Sequence, residues 1–402
     1  MPDSRTMPGQ LKVLMVLISY SIGGAEKRYT NLFNFLSTHG KYSYKLIINR
    51  TLHQLLTDAG IKFNRPENIH LVGLTLNRLG ADLQEGIGKG FSNFWAKIIH
   101  AIGWRLNKVL IEKQVRKMMA VWKPDIIHGI LKGVNLVDHV PHRKIVKVMS
   151  YVHSEDKIPQ YQSRALGRAD ALDILAENMK NSLSLNGIVC KNMKVAPCSF
   201  TDYSRTYLGK KGRNVIFLAR LESMKHPEMF IQMIELIPDE LRNSSYFMML
   251  GTGSLNRSIQ KMAKPFVDQK ILDLKGYVAN PIPFLAEGLI FVQTTACESH
   301  GTQSLLEAMA CGNAVVTTDL PGIEKIISDD VGFRVAHDPE AFADRVSFLL
   351  RNFELAEQMG QRAREKAMQT QNVENYAIHM EELYQKVYEE KNPRLNLCAH
   401  RL

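Results

Sequence analysis

Residues 289–318 read LIFVQTTACESHGTQSLLEAMACGNAVVTT, and this stretch decides the fold. It opens with an apolar run, Leu289–Thr295, which has the length of a buried strand, and continues into a loop that contains Gly301. Helical spacing follows from about Gln303 and stops at Gly312, a good residue for the position just past a helix. A second apolar run, Ala314–Thr318, comes next. This order of strand, helix and strand is typical of a parallel sheet covered on both faces.

Short apolar runs alternate with longer helical stretches along the whole chain. In the first half the runs are Lys12–Ser19, Tyr44–Asn49, Ile69–Leu74, Asp125–Ile130 and Lys144–His153. In the second half they are Asn214–Leu221, Tyr246–Leu250, Ile271–Tyr277, Leu289–Thr295 and Ala314–Thr318. The pattern predicts an α/β protein with two doubly wound, Rossmann-like domains. The stretch from Asn352 to Glu390 predicts a pair of packing helices.

The length of 402 residues is too great for one compact core and suits two domains. The natural boundary is the polar stretch Asp202–Asn214, which has no apolar period. We therefore predict an N-terminal domain over residues 1–205 and a C-terminal domain over residues 206–370. Residues 371–402 are expected to form a C-terminal helix and tail that packs back toward the N-terminal domain.

Charge is divided unequally along the chain, whose formal net charge is +11. Residues 1–200 contain 28 Lys and Arg and 14 Asp and Glu, whereas residues 201–402 contain 23 and 26. The first half is therefore strongly basic and the second slightly acidic. This asymmetry indicates that the first half meets an anionic partner: a membrane, a phosphorylated acceptor or a nucleic acid.

Composition excludes several classes of protein. The 45% hydrophobic and 23% charged residues are typical of a globular chain rather than a disordered one. No run of about 18 apolar residues occurs, and the first apolar run lacks the cleavage site of a signal peptide. The five cysteines are scattered, odd in number and without a C-x-x-C pair. We therefore expect a cytosolic protein with free thiols and no structural zinc site.

The block that begins at Thr294 has residues suited to a sugar nucleotide. Free N–H groups at the start of the helix from Gln303 can bind phosphate. Glu307 lies about one turn inside that helix, where a carboxylate can accept hydrogen bonds from sugar hydroxyls. Glu298, a loop with Gly301, and Glu307 followed by Ala-Met-Ala-Cys-Gly resemble the signature of the family 4 glycosyltransferases, retaining enzymes of the GT-B fold.

The resemblance implies a role for each of these residues. In that family the first Glu holds the donor sugar, the second holds the nucleotide ribose, and the loop amides approach the sugar and the diphosphate. Glu298 and Glu307 would take the two glutamate roles. The loop residues expected to bind the donor are Gly301, Thr302 and Gln303.

One feature of the block departs from the family. The family normally has seven residues between the two glutamates, whereas eight separate Glu298 from Glu307. Either the loop holds one extra residue after Gly301, or the sugar-facing role shifts to Ser299 or His300. The assignment of Glu307 is therefore the firmer of the two.

A second match lies at residues 214–228, NVIFLARLESMKHPE, which resemble the strand that opens the family's second domain. There an Arg and a Lys clamp the diphosphate, and Arg220 and Lys225 occupy these positions. Negative charge builds on the diphosphate as its bond to the sugar breaks, and fixed cations stabilise that transition state. We expect Arg220 to bind phosphate oxygens bidentately and Lys225 to act as a point charge.

Weaker matches follow in family order. Residues 251–253 resemble a G-x-G turn, and Tyr277 belongs to a segment that lies beside the nucleotide base in the family. Gly23 and Gly24 follow the first strand, where the family has a turn near the donor phosphate and the acceptor. The G-x-G-x-x-G fingerprint of dinucleotide-binding proteins is absent, so a nicotinamide or flavin enzyme is poorly supported.

Two histidines of the first half have different expectations. His153 falls at a strand end where the family has a His that faces the transferred sugar, whereas His128 is expected to be structural. The resemblance thus predicts a catalytic set of His153, Glu298, Arg220 and Lys225.

The resemblance implies transfer of a hexose-type sugar from a nucleotide-diphosphate sugar to an acceptor, with retention of configuration. The expected acceptor is a lipid-linked or polysaccharide precursor, bound by the first domain across a cleft from the donor domain. No D-x-D motif lies at a strand end, so no metal is expected, and no cofactor besides the nucleotide-sugar substrate. The alternatives are an epimerase or phosphorylase of the same fold, an inactive homologue, and a non-enzymatic protein that binds an anionic surface or nucleic acid. No nucleic-acid recognition motif is present, so no nucleic-acid partner is expected.

Residues 86–123 hold eight Lys and Arg and a single acid, Glu112. At about 100° per residue, Lys97, Arg105 and Lys108 share one helix face. The opposite face is apolar: Trp95, Ile98, Ile99, Ile102, Leu106 and Val109. Such a helix either lies on an anionic membrane or packs its apolar face on the sheet. We therefore expect a cytoplasmic enzyme that docks on the inner face of the cell membrane if this helix binds lipid.

Overall fold

A computed structural model describes residues 10–74, 92–138, 144–152, 158–297 and 301–393. For residues 92–104 and Tyr161 it describes the backbone but not the side chains. The chain divides into two compact units. Unit 1 comprises Met1–Leu175, Met179–Ala196 and Ala377–Leu402, and unit 2 comprises Ala176–Asn178 and Pro197–Tyr376.

Within the described residues, unit 1 is built on a seven-stranded parallel sheet in the order β3-β2-β1-β4-β5-β6-β7. Its strands are β1 (Lys12–Ile18), β2 (Ser43–Asn49), β3 (Ile69–Val72), β4 (Ile126–Leu131), β5 (Val146–Tyr151), β6 (Ala171–Ile174) and β7 (Asn192–Val195). The connecting helices are α1 (Gly24–His39), α2 (Arg50–Asp58), α3 (Ser92–Trp122), α4 (Gly133–Asp138), α5 (Gln160–Leu166) and α6 (Asn178–Leu185). The strand order reverses between β1 and β4, the kind of point at which open α/β sheets bind ligands.

Unit 2, over its described ranges, contains a six-stranded parallel sheet in the order β10-β9-β8-β11-β12-β13. Its strands are β8 (Asn214–Leu218), β9 (Tyr246–Leu250), β10 (Leu272–Gly276), β11 (Ile290–Gln293), β12 (Ala314–Thr318) and β13 (Gly332–Val335). The helices are α7 (Pro227–Leu236), α8 (Asp239–Asn243), α9 (Asn256–Asp268), α10 (Ile282–Glu287), α11 (Gln303–Ala310), α12 (Pro339–Arg351), α13 (Phe353–Thr370) and α14 (Val373–Lys391), the last of which continues into unit 1. Apolar cores cover both faces of the sheet, one including Phe230 and Phe342, the other including Phe291 and Leu306.

The doubly wound architecture predicted from the sequence is confirmed, and each predicted apolar run contains a strand. Strands β6, β7 and β13 were not predicted. Each is four residues long and carries a polar side chain within it: Asp173 in β6, Lys194 in β7 and Arg334 in β13. Because these polar residues interrupt the apolar run, the sequence shows no strand pattern there.

The main segment of the second unit runs from Pro197 to Tyr376, whereas the sequence predicts a domain over residues 206–370. Residues before the polar stretch already pack in unit 2. The Ser199 N–H donates to the Gln371 side-chain oxygen at 3.0 Å, and the Phe200 and Tyr376 rings lie 4.9 Å apart. These long-range contacts set the boundary, and composition gave no sign of them.

Helix α14 is attached to unit 1 through a hydrogen-bonded network of buried polar side chains. The Tyr384 hydroxyl lies 2.7 Å from His128 Nδ1, and His128 Nε2 lies 2.7 Å from the Ser150 hydroxyl. Ser150 donates to Asp173 at 2.9 Å, and His379 Nε2 lies 3.0 Å from the other Asp173 oxygen. Each member has at least one hydrogen-bond partner, so burial of this network is compatible with stability. His128 is therefore structural, as expected.

Of the two alternatives predicted for helix α3, packing of its apolar face on the sheet is wrong at Leu106 and Val109. From residue 105 onward its buried residues are Asn107, Ile111, Val115, Met119 and Trp122, whereas Leu106 and Val109 are each 64% exposed. Leu106 and Val109 are therefore exposed to solvent, as Arg105 and Lys108 are. These buried residues are mostly four positions apart, so they lie on one helix face, which includes Ile111.

None of the helices in the described ranges is both long and apolar enough to cross a membrane. Four of the five cysteines fall in these ranges, and all four are free thiols: Cys190, Cys198, Cys297 and Cys311.

Candidate active site

A pocket opens at the carboxyl edge of the unit 2 sheet. The strand order reverses there between β8 and β11, which is the place where open α/β sheets bind ligands. The space between the atoms that line it is about 230 Å³, with open solvent included. Its walls come from the ends of both strands, the turn after β8 and the start of α11: Phe217, Leu218, Ala219, Lys225, Phe291, Val292, Gln293, Thr294, Thr295, Thr302 and Ser304.

The pocket forms because β8 and β11 separate. Their ladder joins Val215 to Ile290 and Ile216 to Phe291 and goes no further. On its other side β8 pairs with β9 along five residues. The residues that follow the short ladder, 217–219 and 292–295, therefore line the two walls of the pocket.

Lys225 reaches this pocket from a tight turn. It is the last residue of a 3₁₀ turn, Ser223–Lys225, and its side chain is half-buried. The next residue, His226, has left-handed backbone angles of φ 47° and ψ 53°, and α7 begins directly after it at Pro227. Such a conformation is costly for a residue with a side chain, so surrounding contacts must hold the turn in place.

The start of α11 forms another wall. The Thr302 hydroxyl caps the helix by accepting from the Leu305 N–H at 3.2 Å, and it donates to the Gln293 side-chain oxygen at 2.8 Å. Gly301 has φ +68°, and a Cβ there would lie 2.7 Å from the Ile326 side chain. Both the backbone angle and the space therefore require glycine. The Gln303 amide donates to the Thr201 hydroxyl at 2.7 Å, so this side chain also braces the loop.

The pocket thus combines a lysine, several hydroxyls and the N-terminal end of a helix. A lysine carries a full positive charge, and the first N–H groups of a helix lack intrahelical partners. Both features favour a negatively charged ligand, above all a phosphate.

Several known proteins with similar sequences are named glycosyltransferases. Residues 203–366 match the family model of the glycosyl transferases group 1. The chain is 29% identical over 161 residues to poly(ribitol-phosphate) alpha-N-acetylglucosaminyltransferase of Staphylococcus aureus, covering 39% of this chain and 32% of that protein. It is 26% identical over 261 residues to D-inositol 3-phosphate glycosyltransferase of Paenarthrobacter aurescens, covering 58% and 62%. The chain thus spans about a third to two thirds of these relatives.

The similarity to the glycosyl transferases group 1 therefore lies within unit 2. Solved structures show the same fold at low identity. TarM of S. aureus superimposes with a TM-score of 0.69 at 14% identity, covering 94% of this chain and 99% of that chain. Anabaena HepE in complex with UDP and glucose gives a TM-score of 0.67 at 14% identity, covering 94% and 100%. The fold of the chain is therefore GT-B.

Glu307 lies in the second turn of α11. The neighbouring residues Leu305, Leu306, Ala308 and Met309 are buried, whereas Glu307 is half-buried. Its carboxylate therefore sits on the helix face that is not packed in the core. The helix starts at Gln303 and ends before Gly312, which has φ +75°, as the sequence predicts.

Arg220 and Lys225 do not share the pocket wall. Lys225 lines it, whereas Arg220 is exposed and does not contribute to the lining. Glu222 lies two residues after Arg220, and hydrogen bonds from Ser254 lower the pKa of the Glu222 carboxyl group. The 251–253 turn packs tightly here, because a Cβ on Gly251 would lie 1.8 Å from the Ala219 carbonyl oxygen. The G-x-G pattern thus lets the β9 turn approach the segment that bears Arg220.

Tyr277 follows β10 and is 73% exposed. The preceding residue, Gly276, has φ +65°, and its carbonyl accepts from the Gly251 N–H at 2.7 Å. The described contacts leave the Tyr277 ring available at the surface of unit 2, outside the pocket lining.

Gly23 and Gly24 belong to unit 1. Gly23 is the N-cap residue of α1 and Gly24 is the first residue of that helix, after the end of β1. The Ser19 hydroxyl donates to the Glu26 carboxylate at 2.6 Å and fixes the turn. A Cβ on Gly23 would lie 3.2 Å from a Glu26 carboxylate oxygen, so a larger residue would crowd this turn. The two glycines thus occupy the switch point of their own sheet.

Two predicted catalytic residues, His153 and Glu298, lie outside the described residues, as do Ser299 and His300. Their roles stay predictions.

Sequence reasoning gave no role to four polar residues that line the pocket: Gln293, Thr294, Thr295 and Ser304. The signal that marks the first three is a run of polar residues directly after a buried strand. In a parallel sheet such a run lies at the carboxyl edge, where ligands bind.

Proposed function

We propose that this glycosyltransferase moves a hexose-type sugar from a nucleoside diphosphate sugar to an acceptor with retention of configuration. The donor diphosphate binds in the unit 2 pocket. The observation that carries the proposal is the convergence of Lys225 and the capped start of α11 on one pocket at the switch point. The relatives support it, because one is named an N-acetylglucosaminyltransferase and HepE was solved with UDP and glucose.

In this proposal Lys225 and Arg220 stabilise the charge that develops on the leaving diphosphate. Glu307 accepts hydrogen bonds from the nucleotide ribose, Glu298 holds the sugar, and His153 faces the transferred sugar. We propose that no metal is needed, since Lys225 and the helix N–H groups supply the positive charge. Turnover that persists in excess EDTA is the expected result, and its loss, restored by added divalent cation, contradicts this part.

The donor site is tested by thermal shift with UDP-, GDP-, ADP- and dTDP-sugars. A ligand at 100 times its dissociation constant stabilises the native state by about 2.7 kcal/mol. One base class should therefore raise the melting temperature by several degrees, and Lys225→Ala should reduce that shift. Absence of a shift with all four classes contradicts the proposal.

Product analysis separates transfer from the related activities. A transferase releases nucleoside diphosphate in proportion to glycosylated acceptor. An epimerase converts the donor sugar without any acceptor, and a phosphorylase consumes orthophosphate.

We further propose that the acceptor is a lipid-linked or polysaccharide precursor, such as one for lipopolysaccharide, met on the cytoplasmic face of a membrane. The outer face of α3 supports this. It presents Leu106 and Val109, each 64% exposed, and Val121, 75% exposed. Beside them lie the exposed cations Arg105, Lys113, Arg116 and Lys117. Exposed aliphatic and cationic side chains on one helix face suit an anionic lipid surface.

Sedimentation with vesicles tests the membrane proposal. Wild type should bind vesicles of anionic lipid at low salt and release as salt rises, since each cation near the surface contributes about 1 kcal/mol. Changing Arg105, Lys108 and Lys113 to Glu should abolish binding. A triple change of Lys261, Lys264 and Lys270 to Glu in unit 2 is the matched control. Wild type that ignores anionic vesicles at low salt contradicts the proposal.

A further inference from the structure

Lys225 can act on a diphosphate only if its turn is held at the right place beside β11. The β8–β11 ladder stops at Ile216 and Phe291, well before the turn. The turn therefore needs another link to the β11 wall of the pocket. Two adjacent threonines supply it.

Thr294 and Thr295 follow β11 directly, and each is only 1% exposed. The Thr294 hydroxyl lies 2.7 Å from the Lys225 carbonyl oxygen and 2.9 Å from that of His226. The Thr295 hydroxyl donates to the Met224 carbonyl at 3.1 Å. Three consecutive carbonyls of the lysine turn are thus held by two side chains of the facing wall.

A histidine holds the other side of this link. His337 Nε2 lies 3.0 Å from the Thr294 carbonyl oxygen, and its ring packs edge-on against His226, with ring centres 4.5 Å apart. His226 Nδ1 also lies 3.0 Å from the Glu228 carboxylate. These contacts surround the left-handed residue that follows Lys225.

We propose that Thr294 and Thr295 are positioning residues that bridge the gap between β8 and β11 and fix Lys225 against the donor diphosphate. The inference rests on the proposed function of the pocket. The hydroxyls bind backbone carbonyls and hold the turn, so their effect on the ligand passes through Lys225. A small displacement of the Lys225 ammonium would weaken its interaction with the diphosphate, because charge stabilisation depends strongly on the positions of the two groups.

The test is a double-mutant cycle on nucleoside diphosphate affinity, with the nucleotide among UDP, GDP, ADP and dTDP that binds wild type best. Thr294→Val removes the hydroxyl at nearly constant shape and should weaken the diphosphate by roughly 10-fold, while the matching nucleoside, which lacks phosphates, binds unchanged. Thr294→Ser keeps the hydroxyl and should restore affinity to within about threefold. In the Lys225→Ala background, Thr294→Val should have less than about a twofold effect.

Thr318→Val is the matched control. Thr318 is a buried threonine at the end of β12, and its hydroxyl has no hydrogen-bond partner among the described residues. Its replacement should leave diphosphate affinity unchanged. If Thr294→Val does not fold, Thr295→Val, which loses a single hydrogen bond to the turn, enters the same cycle.

The outcomes separate this inference from the proposed function. If Lys225→Ala weakens the diphosphate but both threonine variants bind it like wild type, only the positioning role is overturned. If the losses are additive, or nucleoside binding falls equally, the threonines support the fold rather than Lys225. If no nucleoside diphosphate binds wild type, the proposed function and the inference fall together.

Discussion

Two polar clusters, one within the sheet of unit 1 and one at the strand ends of unit 2, have opposite characters. In unit 1 the chain from Tyr384 through His128 and Ser150 to Asp173 and His379 is buried, and its members bind one another. In unit 2 the cluster around Lys225 opens to a pocket that suits an anion. The first contains a Ser, a His and an Asp, a combination known from hydrolases.

The difference shows that residue chemistry alone does not define a site. The Ser150 hydroxyl lies within hydrogen-bond distance of both His128 and Asp173, but all three are buried. No substrate reaches a side chain without exposed surface. The unit 1 cluster therefore serves stability by attaching α14, whereas we propose that the unit 2 cluster binds the donor diphosphate. Variants should separate these effects.

The largest effect is expected at Glu307. Glu307→Ala should weaken nucleotide binding by roughly 100-fold or more. The nucleotide ribose would lose two hydrogen bonds to the Glu307 carboxylate, each of about 1.5–3 kcal/mol. Glu298→Ala should lose less, because its spacing departs from the family pattern. Titration of nucleotide into both variants measures this. Equal losses, or a reversed order, contradict the alignment of Glu307 with the ribose.

A pH titration of stability probes the buried cluster. Burial lowers the pKa of His128 to about 4, whereas an unfolded His has a pKa of about 6.5. Between these values the unfolded state binds more protons than the native state, so stability falls as pH falls, by roughly 3 kcal/mol at most. His128→Gln, which cannot titrate, should lack this part of the slope. Denaturant unfolding from pH 7 to pH 4 compares the two proteins, and parallel curves would show that His128 is not the group responsible.

Lys225→Ala and Arg220→Ala should lower turnover while stability is largely kept. A charge-assisted phosphate contact contributes about 1.5–3 kcal/mol, which corresponds to roughly a 10- to 100-fold loss in rate. Because Lys225 lines the pocket and Arg220 does not, we expect the larger loss at Lys225. Steady-state kinetics and melting temperature are measured together. The control is Lys264→Ala, which removes a surface ion pair with Asp268. Unchanged turnover in Lys225→Ala would contradict the role of Lys225 in binding the diphosphate.

The smallest effect is expected at Tyr384. Tyr384→Phe leaves His128 Nδ1 buried without its partner and should cost about 1–3 kcal/mol of unfolding free energy. Nucleotide affinity should not change, since the cluster belongs to unit 1. Tyr388→Phe is a matched control one turn along α14, because no side-chain hydrogen bond of Tyr388 occurs among the described residues. A change in nucleotide affinity without a change in stability would break the contrast between the clusters.

Much of the fold could be read from local pattern. Buried parallel strands are nearly all apolar, so β8 and β12 stand out as runs between helices. The α11 limits followed from Gln303 and Gly312, because helix ends have local signatures. Strands β6 and β13 were missed because Asp173 and Arg334 interrupt them. Asp173 is buried only because His379 and Ser150 satisfy it from distant parts of the chain.

The sequence predicted the two doubly wound sheets and the resemblance to the group 1 glycosyltransferases, because strand and helix periods and the glutamate block are local patterns. It also marked Lys225 and Glu307, whose positions after a strand and within a helix are fixed by the chain. Only the tertiary structure decided which side chains meet. Thr294 holds the Lys225 turn across a gap of 69 positions, and Leu106 and Val109 turn outward because Ile111 and its neighbours occupy the packed face of α3. Such contacts depend on how strands diverge and helices rotate, and these are set by packing among residues far apart in the chain.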